Sequence, residues 1–388
     1  MELQILKIGD RCTGCGACVS ICPKNALTLF PDREGFYFPK VDRDLCINCH
    51  LCDKSCQVLD PASERIDSRR KYYMAKAAKE SIVKSSSSGG AFSILADKVL
   101  SSGGVVYGAR YDFENERLIQ DSTENCSLAE LRKSKYIESY TGAIFKDVGD
   151  KLNNGINVLY VGTPCQVEGL SQYLHTKRIS RDNLILVQFV CHGVPANKFF
   201  TEYKHYEEKK HRSKLISFDF RPKIRGWRYS DWKMEFANGD IDKGPYCYYY
   251  YYYYYYFRSD NILRKSCYNC KRVLNETPDI TIGDFWGIQK FQPENKDNDG
   301  ISLVIAHNPK AVEILESING FRYLKEIPEP AVDYIRREIS TRQGKTGRRD
   351  AFMLEVGIHG YMKTVKRNAA KKIFRARMKD QIRKLFRR

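Results

Sequence analysis

The sequence predicts an α+β protein in which a small cysteine-rich domain precedes a larger α/β domain and a basic C-terminal helix. Eight of the fourteen cysteines lie within residues 12–56. From residue 81 onwards, short apolar runs bounded by glycine and proline alternate with helical patterns. Residues 363–388 contain twelve lysines and arginines but one acidic residue. We therefore expect these segments: a first domain at 1–60, a polar linker at 61–80, a second domain at 81–340 and a tail at 341–388.

The composition indicates a globular protein. Hydrophobic residues make up 42% of the 388 residues, which is enough for a sizeable core. The sequence has no apolar stretch of about 18 residues that would cross a membrane, and the N-terminus MELQILKIGD does not have the pattern of a signal peptide. We therefore expect a cytoplasmic protein. Because thiols are kept reduced in the cytoplasm, its many cysteines favour metal binding over disulfides.

The cysteines of the first domain form two runs with the same spacing. CTGCGACVSIC and CINCHLCDKSC both read C-x2-C-x2-C-x3-C. Three cysteines at this spacing surround one cubane cluster, and the fourth reaches the other cluster. The spacing predicts a bacterial-type ferredoxin domain with two [4Fe-4S] clusters rather than a pair of zinc sites. The predicted ligands are Cys12, Cys15, Cys18 and Cys56 for one cluster and Cys46, Cys49, Cys52 and Cys22 for the other.

The remainder of this domain agrees with the ferredoxin pattern, with one departure. The segment ALTLFPDREGFYFPKVD between the two runs predicts a hairpin with Gly35 near its turn. Pro23 follows Cys22 as the pattern requires, but Gln57 replaces the proline after Cys56. A ferredoxin domain moves single electrons and selects no substrate, so the rest of the chain must supply the partner chemistry.

The second domain is predicted to alternate helices and strands. The residues 85–104 predict a helix that ends at two glycines. The predicted strands are 105–112, 158–161, 184–190, 279–287 and 301–308. Two of these strands end beside cysteines, and the carboxyl ends of strands are where open α/β sheets bind ligands.

Four cysteines of the second domain leave two interpretations open. Cys165 and Cys191 follow the ends of two buried strands, and Cys267 and Cys270 form a C-x-x-C pair in a later loop. Four thiolates that converge would hold a third [4Fe-4S] cluster. The alternative is that these are separate buried or free cysteines, because the spacing alone does not show that they meet.

Seven motifs in this order make the chain resemble the coenzyme F420 hydrogenase/dehydrogenase beta-subunit family. The motifs are SSSSGG, GGVVYGARYD, KYIESYTG, VGTPCQVEGL, VCHGVP, SCYNCKR and DITIGDFWG. The resemblance covers roughly residues 1–320. It implies FAD beside an additional [4Fe-4S] cluster, with Cys165, Cys267 and Cys270 as ligands and Cys191 as the fourth. It also implies electron exchange between iron–sulfur centres and a two-electron organic partner.

The flavin is implied by the resemblance, because the sequence has no G-x-G-x-x-G motif at a strand–helix turn. A helix start at SSGG offers backbone N–H groups suited to a pyrophosphate, although it could be a helix cap and nothing more. Lysine and tyrosine side chains could add contacts to a flavin or an anionic substrate. The candidate cofactor-binding residues are Ser87, Ser88, Gly89, Gly90, Lys133, Tyr136, Thr163 and Pro164.

The expected function is that of an iron–sulfur flavoprotein oxidoreductase. A flavin would convert between the single electrons of clusters and the hydride of an organic substrate. His192 is the candidate proton donor, although such a histidine more often bonds within its own turn. The resemblance implies coenzyme F420, a deazaflavin, or a polysaccharide-pathway metabolite as substrate, with a redox protein or small electron carrier as partner. The alternative is a non-catalytic electron-transfer subunit or adaptor that feeds a separate enzyme.

Two segments stand apart from this account. The tail, 363–388, predicts a basic amphipathic helix suited to the anionic inner face of a membrane, with docking on its own domain as the alternative and nucleic acid a weaker one. The nine tyrosines of Tyr248–Tyr256 predict aromatic packing. Cys126 and Cys247 are interpreted as ordinary thiols.

Overall fold

Three β-sheets and the helices around them make up the described part of the chain. The structure, a computed structural model, describes residues 2–60, 70–229, 231–244, 250–272, 275–293, 297–340, 347–368, 370 and 378. The strands are β1 (Leu27–Pro31), β2 (Tyr37–Val41), β3 (Lys71–Ala77), β4 (Val105–Asp112), β5 (Arg117–Ser122), β6 (Val158–Gly162), β7 (Leu184–Phe189), β8 (Leu215–Asp219), β9 (Trp232–Phe236), β10 (Ile241–Gly244), β11 (Ile280–Asp284), β12 (Ser302–Ala306) and β13 (Phe321–Glu326). The helices are α1 (Ala17–Ile21), α2 (Leu51–Lys54), α3 (Glu80–Lys84), α4 (Ala91–Ser101), α5 (Leu128–Leu131), α6 (Ile144–Asn153), α7 (Pro164–Lys177), α8 (Asn197–His211), α9 (Tyr255–Arg258), α10 (Pro309–Ser317), α11 (Glu329–Ser340) and α12 (Gly347–His359).

The N-terminal domain consists of one hairpin and two short helices. Strands β1 and β2 pair antiparallel, and Gly35 adopts φ +92° in the turn, so the predicted hairpin is confirmed. Helices α1 and α2 each begin inside a cysteine run, after Gly16 at φ +81° and His50 at φ +58°. These left-handed residues reverse the chain tightly, which brings the cysteines of each run onto one side of a loop.

An eight-stranded sheet forms the centre of the larger domain, in the order β13-β3-β12-β11-β7-β6-β4-β5. The adjacent strands β11, β7, β6 and β4 run parallel. Every residue of β6 and β12 is buried, as expected for strands covered on both faces. The predicted strands at 105–112, 158–161, 184–190, 279–287 and 301–308 are confirmed as β4, β6, β7, β11 and β12.

One strand of this sheet lies where the sequence predicts a linker. Residues 71–77 form β3, which pairs with β12 and β13. The segment looks polar because of its lysines, but Lys76 is buried and forms an ion pair with Asp297. Residues 61–69 of the predicted linker lie outside the described residues. The helix predicted at 85–104 is present as α4, which is shorter because the four serines before it form a loop.

A second, aromatic core lies beside the three-stranded sheet of β10, β9 and β8. Residues 250–254 form a π-helical turn that continues into α9. Tyr253, Tyr254 and Tyr256 are buried, and the Tyr253 ring stacks on Tyr203 at a centroid distance of 6.0 Å. The described part of the tyrosine run therefore packs into the core. Residues 245–249, with Cys247 among them, lie outside the described residues.

The described C-terminal residues include α12 and a helical segment at residues 361–368. Tyr361 and Val365 are fully buried, so the first part of the predicted tail helix docks on the aromatic core. Most of the tail beyond 368 lies outside the described residues, and with it the predicted membrane contact. Within the described residues, no helix is both long and apolar enough to cross a membrane.

Candidate functional site

The structure brings Cys12, Cys15, Cys18 and Cys56 together, as the ferredoxin spacing predicts. Burial raises the pKa of the Cys18 thiol, and the neighbouring thiols of Cys15, Cys12 and Cys56 raise it further. Burial also raises the pKa of Cys56 to about 11. Thiols in this state need the charge of a metal to become thiolates. We refer to these four residues as the Cys12 group.

The other ferredoxin cysteines also converge. Cys22, Cys46, Cys49 and Cys52 line one small cavity together with Pro23 and His50. The side chain of Cys49 is exposed, so this group lies nearer the surface than the largely buried Cys12 group. His50 Nδ1 lies 2.8 Å from Asp53 Oδ2, a pairing that leaves the cysteines as the candidate ligands.

The four cysteines of the larger domain meet at the carboxyl edge of the large sheet. Burial raises the pKa of Cys165 to about 12, and the nearby thiols of Cys270 and Cys267 raise it further. Burial raises the pKa of Cys191 as well, again with contributions from Cys267, Cys165 and Cys270. The sequence left open whether these residues meet. In the structure they do, and we refer to them as the Cys165 group.

Local structure fixes two members of the Cys165 group. Thr163 caps the N-terminus of α7, and its Oγ1 lies 3.1 Å from Cys165 Sγ. After β7, the backbone N–H of Gly193 donates to Cys191 Sγ at 3.4 Å. Gly193 has φ +119°, and a Cβ there would lie 3.2 Å from Cys267 Cβ. The glycine of VCHGVP therefore allows the two cysteine loops to approach closely.

Each of the three groups offers four thiolates, and this donor set fits a cluster of four irons.

The Cys12 group and the Cys165 group are neighbours. Cys15 is near enough to Cys165 to raise the pKa of its thiol. A Cβ added at Gly169, on α7, would lie 2.9 Å from Cys15 Sγ, so the ferredoxin loop packs directly on this helix. The buried apolar side chains of α7 and the Cys12 group belong to one hydrophobic cluster. The two domains therefore share a core at the point where their cysteines approach.

A buried ion pair that the sequence analysis missed lies between these groups. Arg264 is 2% exposed, and its guanidinium donates to Cys12 O at 2.7 Å, to Tyr37 O at 2.9 Å and to Glu138 Oε1 at 2.6 Å. Burial raises the pKa of Glu138 to about 7, and the guanidinium opposes that rise. Arg264 lies three residues before Cys267, but the sequence gives no signal of its partner in KYIESYTG.

The Ser87–Gly90 loop lies at the same edge of the sheet. The backbone N–H of Ala77, at the end of β3, donates to Gly89 O at 2.8 Å. A Cβ at Gly89 would lie 2.4 Å from Ala75 O, so this glycine is required by packing. Ser88 donates to Ile301 O and Ser87 accepts from Ser134 N–H, both at 2.8 Å. Gly90 begins α4 without any side-chain cap.

Two lysines beside this loop have no carboxylate partner among the described residues. Lys223 Nζ donates to Val83 O and Ser88 O, each at 2.7 Å. Lys135 Nζ donates to Arg132 O at 2.7 Å. Burial lowers the pKa of Lys223 to about 8 and that of Lys135 to about 7. Since neither ammonium has a carboxylate within 4.0 Å among the described residues, a bound anion would supply the missing charge.

The other candidate cofactor-binding residues of this region have positions that the fold itself explains. Lys133 forms an ion pair with Asp219, so its charge is already matched. The Tyr136 ring stacks on Phe257 at 5.0 Å in the aromatic core, and burial raises the pKa of its phenol. Pro164 occupies the first turn of α7 after the capping residue Thr163. These positions provide structural roles for all of them.

Asp284 organises a polar and aromatic site at the end of β11. Its Oδ1 accepts from Trp227 Nε1 at 2.7 Å, and its Oδ2 lies 2.5 Å from Arg221 Nη1. The indoles of Trp227 and Trp286 stack at 4.8 Å with an interplanar angle of 2°. Trp286 is 43% exposed, so a flat aromatic surface faces solvent at the carboxyl end of β11. The motif DITIGDFWG was the only sequence signal of this arrangement.

His192 has a partner outside its own turn. Its Nε2 lies 2.8 Å from Asp260 Oδ1, and its ring meets Phe257 edge to face at 5.0 Å. The two atoms are at ion-pair distance, but they do not have the geometry of a hydrogen bond. Cys126 lies apart from all three groups, with its Sγ 3.2 Å from Ser122 O, and burial raises its pKa to about 11.

Comparisons with known proteins agree with this organisation. Residues 156–330 match the family model for the C terminus of the coenzyme F420 hydrogenase/dehydrogenase beta subunit, and residues 11–59 match a 4Fe-4S dicluster domain. A component of the F(420)H(2) dehydrogenase of Methanosarcina mazei is 20% identical over 359 residues, which are 86% of this chain and 90% of that protein. An uncharacterized ferredoxin of Methanocaldococcus jannaschii is 36% identical over 56 residues, 14% of this chain and 71% of its own length.

A solved structure is similar over much of the chain. It is the F420-reducing [NiFe] hydrogenase complex from Methanosarcina barkeri, with 14% identity and a TM-score of 0.45, covering 73% of this chain and 91% of that one. The dicluster match establishes iron–sulfur clusters as the cofactors of the N-terminal domain. The chain therefore joins an N-terminal segment that matches a 4Fe-4S dicluster domain to a larger domain that matches the C terminus of the coenzyme F420 hydrogenase/dehydrogenase beta subunit.

Proposed function

We propose that this protein is an iron–sulfur flavoprotein oxidoreductase that connects three [4Fe-4S] clusters with FAD and a substrate of the deazaflavin class. The convergence of the Cys165 group beside the Cys12 group carries the proposal. The Cys165 group lies at the carboxyl edge of parallel strands, where α/β proteins bind organic ligands. The name of the Methanosarcina mazei relative supports a deazaflavin over a polysaccharide-pathway metabolite.

The cysteines would hold the clusters in their three groups, and the sheet edge would hold the flavin. When bound, clusters exchange single electrons and a flavin exchanges single electrons or a hydride, which supplies the chemistry that no side chain offers. The uncapped N-terminus of α4 and the ammonium groups of Lys135 and Lys223 suit a pyrophosphate. In the sheet order, β3 lies three strand spacings, about 14 Å, from β7 and Cys191. The exposed indole of Trp286 follows the end of β11, which lies between β3 and β7 in the sheet order.

His192 is the residue proposed to handle a proton. It directly follows Cys191, and its Nε2 lies 2.8 Å from Asp260 Oδ1. An imidazole side chain can donate and accept protons in catalysis. Its place beside the Cys165 group would allow a proton to accompany hydride transfer.

A double replacement of the two buried lysines tests the proposal. In a Lys135→Met/Lys223→Met variant we expect FAD to bind at least about tenfold more weakly, because two charged hydrogen-bond donors are lost. The iron content should stay at the wild-type value, since neither lysine touches a cysteine. The wild type should oxidise a reduced deazaflavin under anaerobic conditions, and the variant should not. The measurements are flavin and iron per chain, and the absorbance of the deazaflavin.

Lys84→Met is the matched control, because Lys84 is exposed and paired with the exposed Glu80. It should bind FAD like the wild type. A wild type that binds no FAD after anaerobic reconstitution would contradict the proposal. Normal FAD binding in the double variant would reject these lysines as its site.

One observation favours the second candidate, an electron-transfer subunit that feeds a separate enzyme. Leu45, next to Cys46 in the sequence, is 51% exposed, and Ile47, which lines the same small cavity as Cys49, is 58% exposed. Apolar side chains beside the outer cluster site suit a redox partner protein. Bound FAD without any reaction with a deazaflavin, combined with electron exchange with a ferredoxin, would favour this candidate over the first.

A further inference from the structure

The residue that departs from the ferredoxin pattern connects two cysteine groups. Gln57 follows Cys56 at the position of the usual proline, and its side chain is fully buried. The Nε2 of its carboxamide donates to Cys165 O at 2.5 Å and to Thr13 Oγ1 at 3.3 Å. Thr13 belongs to the loop of the Cys12 group. One side chain therefore bonds to the backbone of Cys165 and to the side chain of Thr13, and so contacts the segments of both groups.

The other end of the carboxamide is also held. Arg272 Nε donates to Gln57 Oε1 at 2.8 Å and to Glu168 Oε2 at 2.6 Å. Arg272 lies two residues after Cys270, and Glu168 lies on α7, three residues after Cys165. The carboxamide oxygen thus faces a guanidinium, and the nitrogen faces a carbonyl and a hydroxyl. Each polar atom of Gln57 meets a partner of the right kind, which fixes its orientation.

The backbone conformation at residue 57 does not require glutamine. Leu59 N–H donates to Cys56 O at 3.0 Å, so residues 56–59 form a turn with Gln57 at its second position. Proline is favoured at that position of a common β-turn. Within the described residues, the Gln57 N–H makes no backbone hydrogen bond that proline would remove. The side chain is therefore what distinguishes glutamine from the proline of the pattern.

We propose that Gln57 is a positioning residue that fixes the Cys12 group against the Cys165 group for electron exchange between them. This inference rests on the proposed function, because it requires a cluster on the Cys165 group. In each exchange one cluster loses one electron and the other gains it, with no bond broken and no proton moved. Gln57 contributes by joining the segment of Cys56 to the segment of Cys165 through a single hydrogen bond.

Gln57→Pro tests this role, because proline suits the turn and restores the ferredoxin pattern. We expect the variant to retain its irons and the spectrum of each cluster. The rate of electron exchange between the two clusters should fall about tenfold, as for other residues that orient metal ligands. The magnetic interaction between the two reduced clusters should weaken as well. Rapid-freeze electron paramagnetic resonance after mixing with a one-electron reductant measures both quantities.

Gln172→Leu is the matched control. Gln172 Nε2 donates to Asp60 O at 2.8 Å, so it too joins α7 to the N-terminal domain, but it has no contact with a cysteine. This variant should behave like the wild type in both measurements. Gln57→Leu provides a second test that leaves the backbone unchanged, and it should reproduce the slower exchange.

The outcomes separate this inference from the proposed function. Three clusters with wild-type exchange and magnetic interaction in Gln57→Pro would overturn the role of Gln57 alone. Loss of iron in both Gln57→Pro and Gln57→Leu would also overturn it, since glutamine would then serve cluster assembly. A wild type without a cluster on the Cys165 group would overturn both the inference and the proposed function.

Discussion

Replacing Arg264 with leucine should lower the free energy of unfolding by about 3 to 5 kcal/mol, as expected when one partner of a buried ion pair is removed. Glu138, at 4% exposed, would lose the guanidinium that compensates its charge. The carbonyl oxygens of Cys12 and Tyr37 would lose their donors at the same time. Because Arg264 joins the ferredoxin loop to the larger domain, the loss should also weaken the contact between the domains. Anaerobic urea unfolding followed by fluorescence measures the change.

A double variant and an exposed ion pair serve as controls for this prediction. Arg264→Leu/Glu138→Leu should be more stable than Arg264→Leu, because the uncompensated buried carboxylate is gone. Lys84→Leu, which breaks an exposed pair with Glu80, should change the stability far less than Arg264→Leu, because solvent screens the pair. An Arg264→Leu variant no less stable than Lys84→Leu would contradict the account of this ion pair.

Replacing Gly16 with alanine should cost more than any other single methyl group added to the ferredoxin loop. Gly16 has φ +81°, and a Cβ there would lie 2.1 Å from Thr141 Oγ1 and 3.2 Å from Gly142 O. The left-handed backbone costs about 1 to 2 kcal/mol for alanine. The overlap with Thr141 should add about 1 to 3 kcal/mol, because the loop between Cys15 and Cys18 cannot move away from the larger domain without strain.

Gly9→Ala separates the two contributions to this cost. Gly9 also has a positive φ, +53°, but a Cβ there would meet no atom within 4 Å. This variant should show only the cost of the backbone conformation. The difference between the two variants in urea unfolding then measures the overlap with Thr141. Equal losses of stability in Gly16→Ala and Gly9→Ala would show that the loop does not dock on Thr141.

The parts of the fold that depend on local spacing could be predicted from the sequence. The eight ferredoxin cysteines lie in two short runs, and each run determines its own loop geometry. The strands β4, β6, β7, β11 and β12 are apolar runs between glycines and polar breaks, which the hydrophobic pattern reveals. By contrast, β3 contains lysines at its start and near its end, and its burial depends on an ion pair with a residue more than 200 positions later.

The parts that depend on the order of strands could not be predicted from the residues alone. Cys165 and Cys191 meet because β6 and β7 are adjacent and parallel, and no local pattern shows this. The resemblance to a family supplied that information. The partners Glu138 and Arg264 lie 126 positions apart, and Gln57 and Arg272 lie 215 positions apart. Gln57 was visible in the sequence only as a departure from proline, and its meaning depends on these distant contacts.

The central claim is that the Cys165 group holds a third cluster, and iron analysis tests it most directly. The measurement is iron and sulfide per chain after anaerobic reconstitution, in the wild type and in Cys267→Ser/Cys270→Ser. Cys126→Ser is the control, because Cys126 lies apart from the three groups and bonds to Ser122 O. The account predicts about twelve irons in the wild type and the control and about eight in the double variant. About eight irons in all three proteins would contradict it.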